Sequence, residues 1–162
     1  MGISNQSTKW VTKKVEKYSD LLLRVAFSYM KNIHDAEDMV QEAFVKLMQK
    51  GPMFESEEHE KAWLIRVTIN LCKNRLKTVW FKKTEHLKEQ TISFTREEGE
   101  VLNIVQELPV KYRSVIQLYY YEGYHIKEIA AILGYKEATV ASQLQRARKQ
   151  LRIKLKEDFD YE

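Results

Sequence analysis

The 162-residue chain is 44% apolar and 31% charged, which is enough apolar material for a modest core and too balanced for a wholly disordered polymer. Five Gly and two Pro favour long helices over turn-rich sheets. The single cysteine, Cys72, excludes an internal disulfide and a cysteine-based zinc module. No apolar run reaches the roughly 20 residues of a membrane span, and MGISNQSTKW lacks the apolar stretch of a secretory signal, so a reducing, cytoplasmic setting without membrane insertion is expected.

In chain order, residues 1–17 read as a basic tail. A helix is predicted from about Tyr18 to Lys31, with Leu22, Val25, Ala26, Tyr29 and Met30 on one side. The next begins near Asp35, whose carboxylate is expected to cap it. Ala36, Met39, Val40, Ala43, Phe44, Leu47 and Met48 then recur at helical steps until Gly51-Pro52. A third helix is predicted over 58–80, with Ala62, Ile65, Ile69, Cys72 and Leu76 inward. These three helices form one expected domain, 18–83. Residues 84–99 break the pattern and read as a flexible tether, reaching about 53–58 Å when fully extended. A second domain, 100–162, is expected to hold helices over 100–108, 110–121, 126–133 and 136–156, the first ended by Pro109. The fold class is all-α: two small helical domains, the second a helix-turn-helix.

The net charge of +4 conceals a sorting of charge along the chain. Residues 61–83 hold seven basic residues and no acid. Residues 136–156 hold seven basic residues against Glu137, whereas residues 35–60 hold eight acids against Lys46 and Lys50. Two basic segments and an acidic one suggest two contacts with a polyanion and a separate contact of a different kind.

The sharpest pattern is IKEIAAILGYKEATVASQLQRARKQL, residues 126–151. Ala130 permits a close helix crossing, Gly134 permits a tight turn, and Val140 seats the second helix. Val140, Leu144, Ala147 and Leu151 then face inward. Lys136, Thr139, Ser142, Gln145, Arg146, Arg148 and Lys149 are left as candidates for a duplex groove: Ser and Gln for base edges, Arg for guanine, Lys for phosphate. In the second pattern Arg66, Asn70, Lys73, Asn74 and Lys77 share a helix face, with Trp63, Trp80 and Phe81 at its ends. That set suits phosphate contact and stacking of an unpaired base, although the tryptophans would serve equally as core. In the third, Asp35, Glu37, Asp38, Gln41 and Glu42 lie beside Met39, Val40 and Phe44. Acids in a first turn also favour the helix dipole on their own account, and with His34 they match no metal-ligand spacing. No metal or cofactor is expected.

These three segments, DAEDMVQEAF, AWLIRVTINLCKNRLK and LPVKYRSVIQLYYYEGYHIKEIAAILGYKEATVASQLQRARKQL, together resemble the extracytoplasmic-function group of the sigma-70 family over about residues 18–156. The resemblance implies a promoter-specificity factor that works with core RNA polymerase. By position, Asp35, Asp38, Gln41, Glu42 and Phe44 are implied to dock on the polymerase clamp. Trp63, Arg66, Asn70, Lys73, Asn74 and Lys77 are implied to meet the promoter −10 element, and the seven residues of 136–149 named above the −35 element. The linker of such factors threads toward the RNA exit path, where Glu97 and Glu98 would mimic nucleic acid. An anti-sigma factor is a common partner in the group. Ala141 and Gln143 stand where many relatives have basic residues, and Tyr119 where an arginine is frequent.

Two other classes fit less well. A free-standing helix-turn-helix regulator with a helical sensory domain would not need the basic face at 61–83. An enzyme would need a nucleophile–base pair, phosphate loop or metal spacing, none of which the sequence offers, and no small-molecule substrate is expected.

Overall fold

Helices account for every regular element in residues 5–82 and 103–159, which the computed structural model describes, with side chains over 9–78 and 103–156. They belong to two units, one within residues 1–87 and one within 88–162.

In the first unit α1 (Asn5–Met30), α2 (Ile33–Lys50) and α3 (Glu57–Lys82) each pack against the other two. Their predicted stripes meet as one core: Leu22, Val25 and Ala26 of α1, Ala36, Met39 and Leu47 of α2, Ile65, Ile69 and Cys72 of α3 are all buried. Leu64 and Thr68 join it from α3, and the Thr68 hydroxyl donates to the Leu64 carbonyl at 2.8 Å. That bond satisfies a polar group inside an apolar core. Ala62 and Leu76, expected inward, are only half-buried. Met48, also expected inward, is 44% exposed, three residues beyond exposed Val45 on a flank of α2 that α1 and α3 leave uncovered.

Two expectations about helix starts are corrected. Residues 5–17, expected as a tail, are helical and continue into the rest of α1, and two lysines of this stretch find acids on α3. Lys14 Nζ lies 2.8 Å from Glu60 Oε1, Lys17 pairs with Glu57, and the Tyr18 hydroxyl donates to the same Glu60 oxygen at 2.8 Å. Asp35 does not cap α2. Asn32 does, its side-chain oxygen accepting from the His34 and Asp35 N–H groups at 2.8 and 3.2 Å. Asn32 is extended, with φ −135°, as an N-cap residue must be. The predicted stop holds: Gly51, at φ +46°, turns its N–H back to the Leu47 carbonyl at 2.9 Å.

In the second unit a helical turn at 103–106 (α4) is followed by α5 (Val110–Ile116), which runs on as a π-helical turn (Gln117–Tyr121), then α6 (Ile126–Leu133) and α7 (Glu137–Phe159). Pro109 separates α4 from α5. The carbonyl of Leu108, left without a helical partner there, accepts from Nη1 of buried Arg113 at 2.7 Å. Both α5 and α6 pack on α7, around Val115, Ile116, Ile129, Val140 and Leu144. Between α6 and α7, Gly134 takes φ +74°, and the Ala130 carbonyl accepts from the Gly134 and Tyr135 N–H groups at 2.9 and 3.0 Å. The expected tether at 84–99 and the expected helix start at Glu100 lie outside the described residues.

Two measurements check this packing. Nothing lies within 4 Å of a Cβ built on Gly134, so Gly134→Ala should meet only the strain of its positive φ and lower stability by about 1 kcal/mol in urea unfolding. Burial pushes the Cys72 thiol up to about 12. Iodoacetamide at pH 8 should therefore alkylate the folded protein far more slowly than the urea-unfolded chain, because the sulfur is out of the reagent's reach and held as the unreactive thiol.

Candidate nucleic-acid and polymerase-docking surfaces

The surface of α7 is set by its buried stripe. Val140, Leu144 and Ala147 are 0–1% exposed, and Leu151 is half-buried. A helical turn of 3.6 residues then sends Thr139, Gln145, Arg146, Arg148 and Lys149 to solvent, with Ser142 half-buried at the edge and Lys136 exposed just ahead of the helix. Gln145, Arg146, Arg148, Lys149 and Arg152 line an open cleft of about 620 Å³. Four cations in one cleft make a surface suited to a phosphate backbone, and Gln145 and Arg146 carry donors suited to base edges. The helix is braced by the left-handed turn at Gly134. Its partner α6 is closed at its start by Glu128, whose carboxylate accepts from the His125 N–H at 3.0 Å. Sequence reading treats Arg148 as one more outward base, but the structure gives it protein partners. Its Nε donates to the Tyr120 hydroxyl at 2.6 Å, and this bond raises its pKa by favouring the charged form.

On α3 the buried residues leave Arg66, Asn70, Asn74 and Lys77 exposed along one side, with Trp63 and Lys73 half-buried beside them. These six candidates therefore share a face. The side chains of Trp80 and Phe81 lie outside the described residues. A feature that sequence reading missed stands at the N-terminal end of this face. Phe54, from the connection between α2 and α3, packs edge-on against His59 at 5.4 Å and against Trp63 at 5.7 Å between centroids. Ser56 caps α3 by accepting from the His59 N–H at 3.1 Å, and His59 Nδ1 accepts from the Glu55 N–H at 3.2 Å. The neighbouring Met53 is 95% exposed. The dipeptide after Gly51-Pro52 is the only sequence hint of this aromatic group, and it has no period to flag it. Glu57, in the first turn of α3, is held below the usual carboxylate range by its hydrogen bond from Lys17.

The acidic helix α2 presents Asp38, Gln41 and Glu42 to solvent, with Asp35 half-buried and Phe44 buried. Gln41 and Phe44 line a groove of about 540 Å³ between α1 and α2, together with Val15, Leu23, Val40 and Val45, and Asp20 and Glu37 bring acid to it. Asp35 and Asp38 also reach toward α3, where Nη2 of Arg75 lies 3.8 Å from a carboxylate oxygen of each. Ion pairs this exposed contribute about 0–1 kcal/mol, so another cation can displace Arg75 at little cost. Among the described residues, no group of three His, Cys, Asp or Glu side chains is placed to hold a metal, and no helix is long and apolar enough to cross a membrane.

Comparison with known proteins bears on both units. Residues 15–81 match the family model described as Sigma-70 region 2, and residues 98–151 match the model described as Sigma-70, region 4. RNA polymerase sigma factor SigV of Bacillus subtilis (strain 168) is 33% identical, over 84% of this chain and 86% of its own length. ECF RNA polymerase sigma factor SigW of the same organism is 28% identical, over 88% and 87%. Among solved structures, the sigma factor RpoE of Bartonella quintana, solved with the anti-sigma factor NepR, has a TM-score of 0.74 at 24% identity, covering 90% of this chain and 96% of its own. CnrH, solved with the cytosolic domain of CnrY, reaches 0.69 at 24% identity, over 93% and 90%. At such identities the likeness of the solved structures is one of fold.

Proposed function

The chain belongs to the extracytoplasmic-function group of sigma-70 RNA polymerase sigma factors, and from that premise we propose how its surfaces divide the work of promoter-directed initiation. The exposed face of α7 reads the −35 duplex, with Arg146 and Gln145 at base edges and Lys136 and Lys149 at phosphates. Thr139 and Ser142 border this contact. The face of α3 formed by Trp63, Arg66, Asn70, Lys73, Asn74 and Lys77 holds the −10 strand, its amides and bases suiting backbone and unpaired bases alike. The exposed acids of α2 dock on core polymerase through Asp35, Asp38, Gln41 and Glu42. Phe44 supports that face from within the core.

The observation that carries this reading is the pairing of a seated recognition helix in one unit with a second basic face in the other. A single duplex reader needs only the first. In this reading the protein is no catalyst: it supplies specificity to the polymerase and acts in the cytoplasm where the polymerase is. Its structural neighbours include a sigma factor solved with an anti-sigma factor, which supports a partner of that class here also. A division into a first domain that includes all of α1 and ends near residue 83, a linker over 84–99 and a second domain over 100–162 fits the same scheme, each domain taking one promoter element.

The deciding experiment is transcription from a matched promoter by core polymerase with and without the protein, beside DNA binding by the protein alone. Initiation only in the mixture supports the proposal; tight binding alone with no gain from polymerase overturns it. Replacing both Asp38 and Glu42 by Ala should weaken co-elution with core polymerase roughly tenfold or more, since charges at an interface act on a partner of opposite sign. Arg146→Ala should cost about 1–3 kcal/mol of discrimination between matched and mismatched −35 sequences while leaving polymerase binding unchanged, as competition binding would show.

A further inference from the structure

At the end of α5 the backbone widens into the π-helical turn, closed by the Glu122 N–H on the Gln117 carbonyl at 3.0 Å. A π turn accommodates an extra residue in a helix, and both Tyr119 and Tyr120 lie within this one. Leu118 points into the core, while Tyr119 is half-buried and Tyr120 is exposed. The two rings meet edge to face, with centroids 4.9 Å apart. Arg148 of α7 lies against both rings. Its guanidinium carbon is 5.3 Å from the Tyr119 centroid and 5.6 Å from that of Tyr120, and its Nε donates to the Tyr120 hydroxyl at 2.6 Å. Two successive tyrosines thus grip one cation from the neighbouring helix.

The chemistry of the grip matters. A carboxylate holding this arginine would cancel its charge, whereas a phenol and two ring faces hold it and leave the charge in place. A guanidinium has five N–H donors; the bond to Tyr120 takes the Nε–H, and Tyr119 is a second hydrogen-bonding partner, which leaves donors to spare. The remaining fork belongs to a side chain that also lines the cleft with Arg146, Lys149 and Arg152. A long side chain fixed before its ligand arrives loses less freedom on binding.

We propose that Tyr119 and Tyr120 are positioning residues that hold the Arg148 guanidinium ready to clamp a DNA phosphate at the cleft on α7. This rests on the reading of α7 as the −35 contact. Arg148 would then differ from Arg146: it grips backbone irrespective of sequence, and its strength depends on two neutral side chains of another helix.

The test uses the full chain with core polymerase, measuring affinity for promoter duplex between about 50 and 200 mM salt. Arg148→Ala should reduce the slope of log K against log salt by about one, the mark of one lost phosphate contact. Tyr120→Phe keeps the ring and loses the acceptor. It should leave the slope unchanged and weaken binding roughly three- to tenfold, the worth of a single hydrogen bond. The double variant should bind no more weakly than Arg148→Ala alone. Arg148→Lys should restore the slope but not the affinity, because an ammonium cannot form the planar fork. The proposal is overturned if Tyr120→Phe weakens binding equally in the Arg148→Ala background, or if Arg148→Ala lowers only the melting temperature and leaves the slope unmoved. Absence of any polymerase-dependent promoter binding by the unaltered chain would instead overturn the −35 reading on which the proposal rests.

Discussion

Burial of Val140, Leu144 and Ala147 determines everything that α7 can show to a partner. With those three side chains committed to the core shared with α5 and α6, helical geometry leaves a single arc for Gln145, Arg146, Arg148 and Lys149. The crossing that seats them depends on small and unusual positions: Ala130 beneath the turn, Gly134 with its positive φ, and the two N–H groups that share the Ala130 carbonyl. α3 obeys the same constraint. Leu64, Ile65, Ile69 and Cys72 take the inside, and the arginine, asparagines and lysines are left outside. Function in both units is therefore a consequence of which stripe is inside.

Polar contacts then tune surfaces that packing has set. In the first unit Glu60, 5% exposed, receives the Tyr18 hydroxyl and the Lys14 ammonium and so ties α1 to the start of α3. A carboxylate so placed is held by both charge and hydrogen bonding, which is how a buried ion offsets its desolvation penalty. The exposed contacts of Arg75 with Asp35 and Asp38 are of another kind, being weak, wet and exchangeable. Those acids are therefore tied to the folded unit only loosely. Arg148 lies between these cases. It is solvent-facing yet oriented, because aromatic faces constrain a cation without neutralising it.

Much of this was legible from periodicity. The stripes of α1, α2, α3 and α7 appear in the sequence at steps of three and four, and the stops at Gly51 and Pro109 are local chemistry that needs no neighbour. The misses share a cause. Asn32 and Asp35 are both good capping residues, and the choice between them rests on where the chain turns extended. Residues 5–17 carry few apolar side chains, so periodicity shows neither their helix nor the acids of α3 that pair with Lys14 and Lys17. Phe54 has no periodic company, and its packing on His59 and Trp63 exists only once the connection folds back over α3.

By itself, then, the amino-acid sequence determined the all-helical class, the inward stripes, the sorting of charge into two basic segments and an acidic one, and the turn between α6 and α7. Those depend on residues within a few turns of one another, where period and local backbone preference dominate. Tertiary structure alone decided which outward cations are spoken for. Arg148 meets Tyr120 across 28 positions of sequence, and Lys14 meets Glu60 across 46. Pattern within one helix cannot report such meetings, because they are set by how separate helices cross.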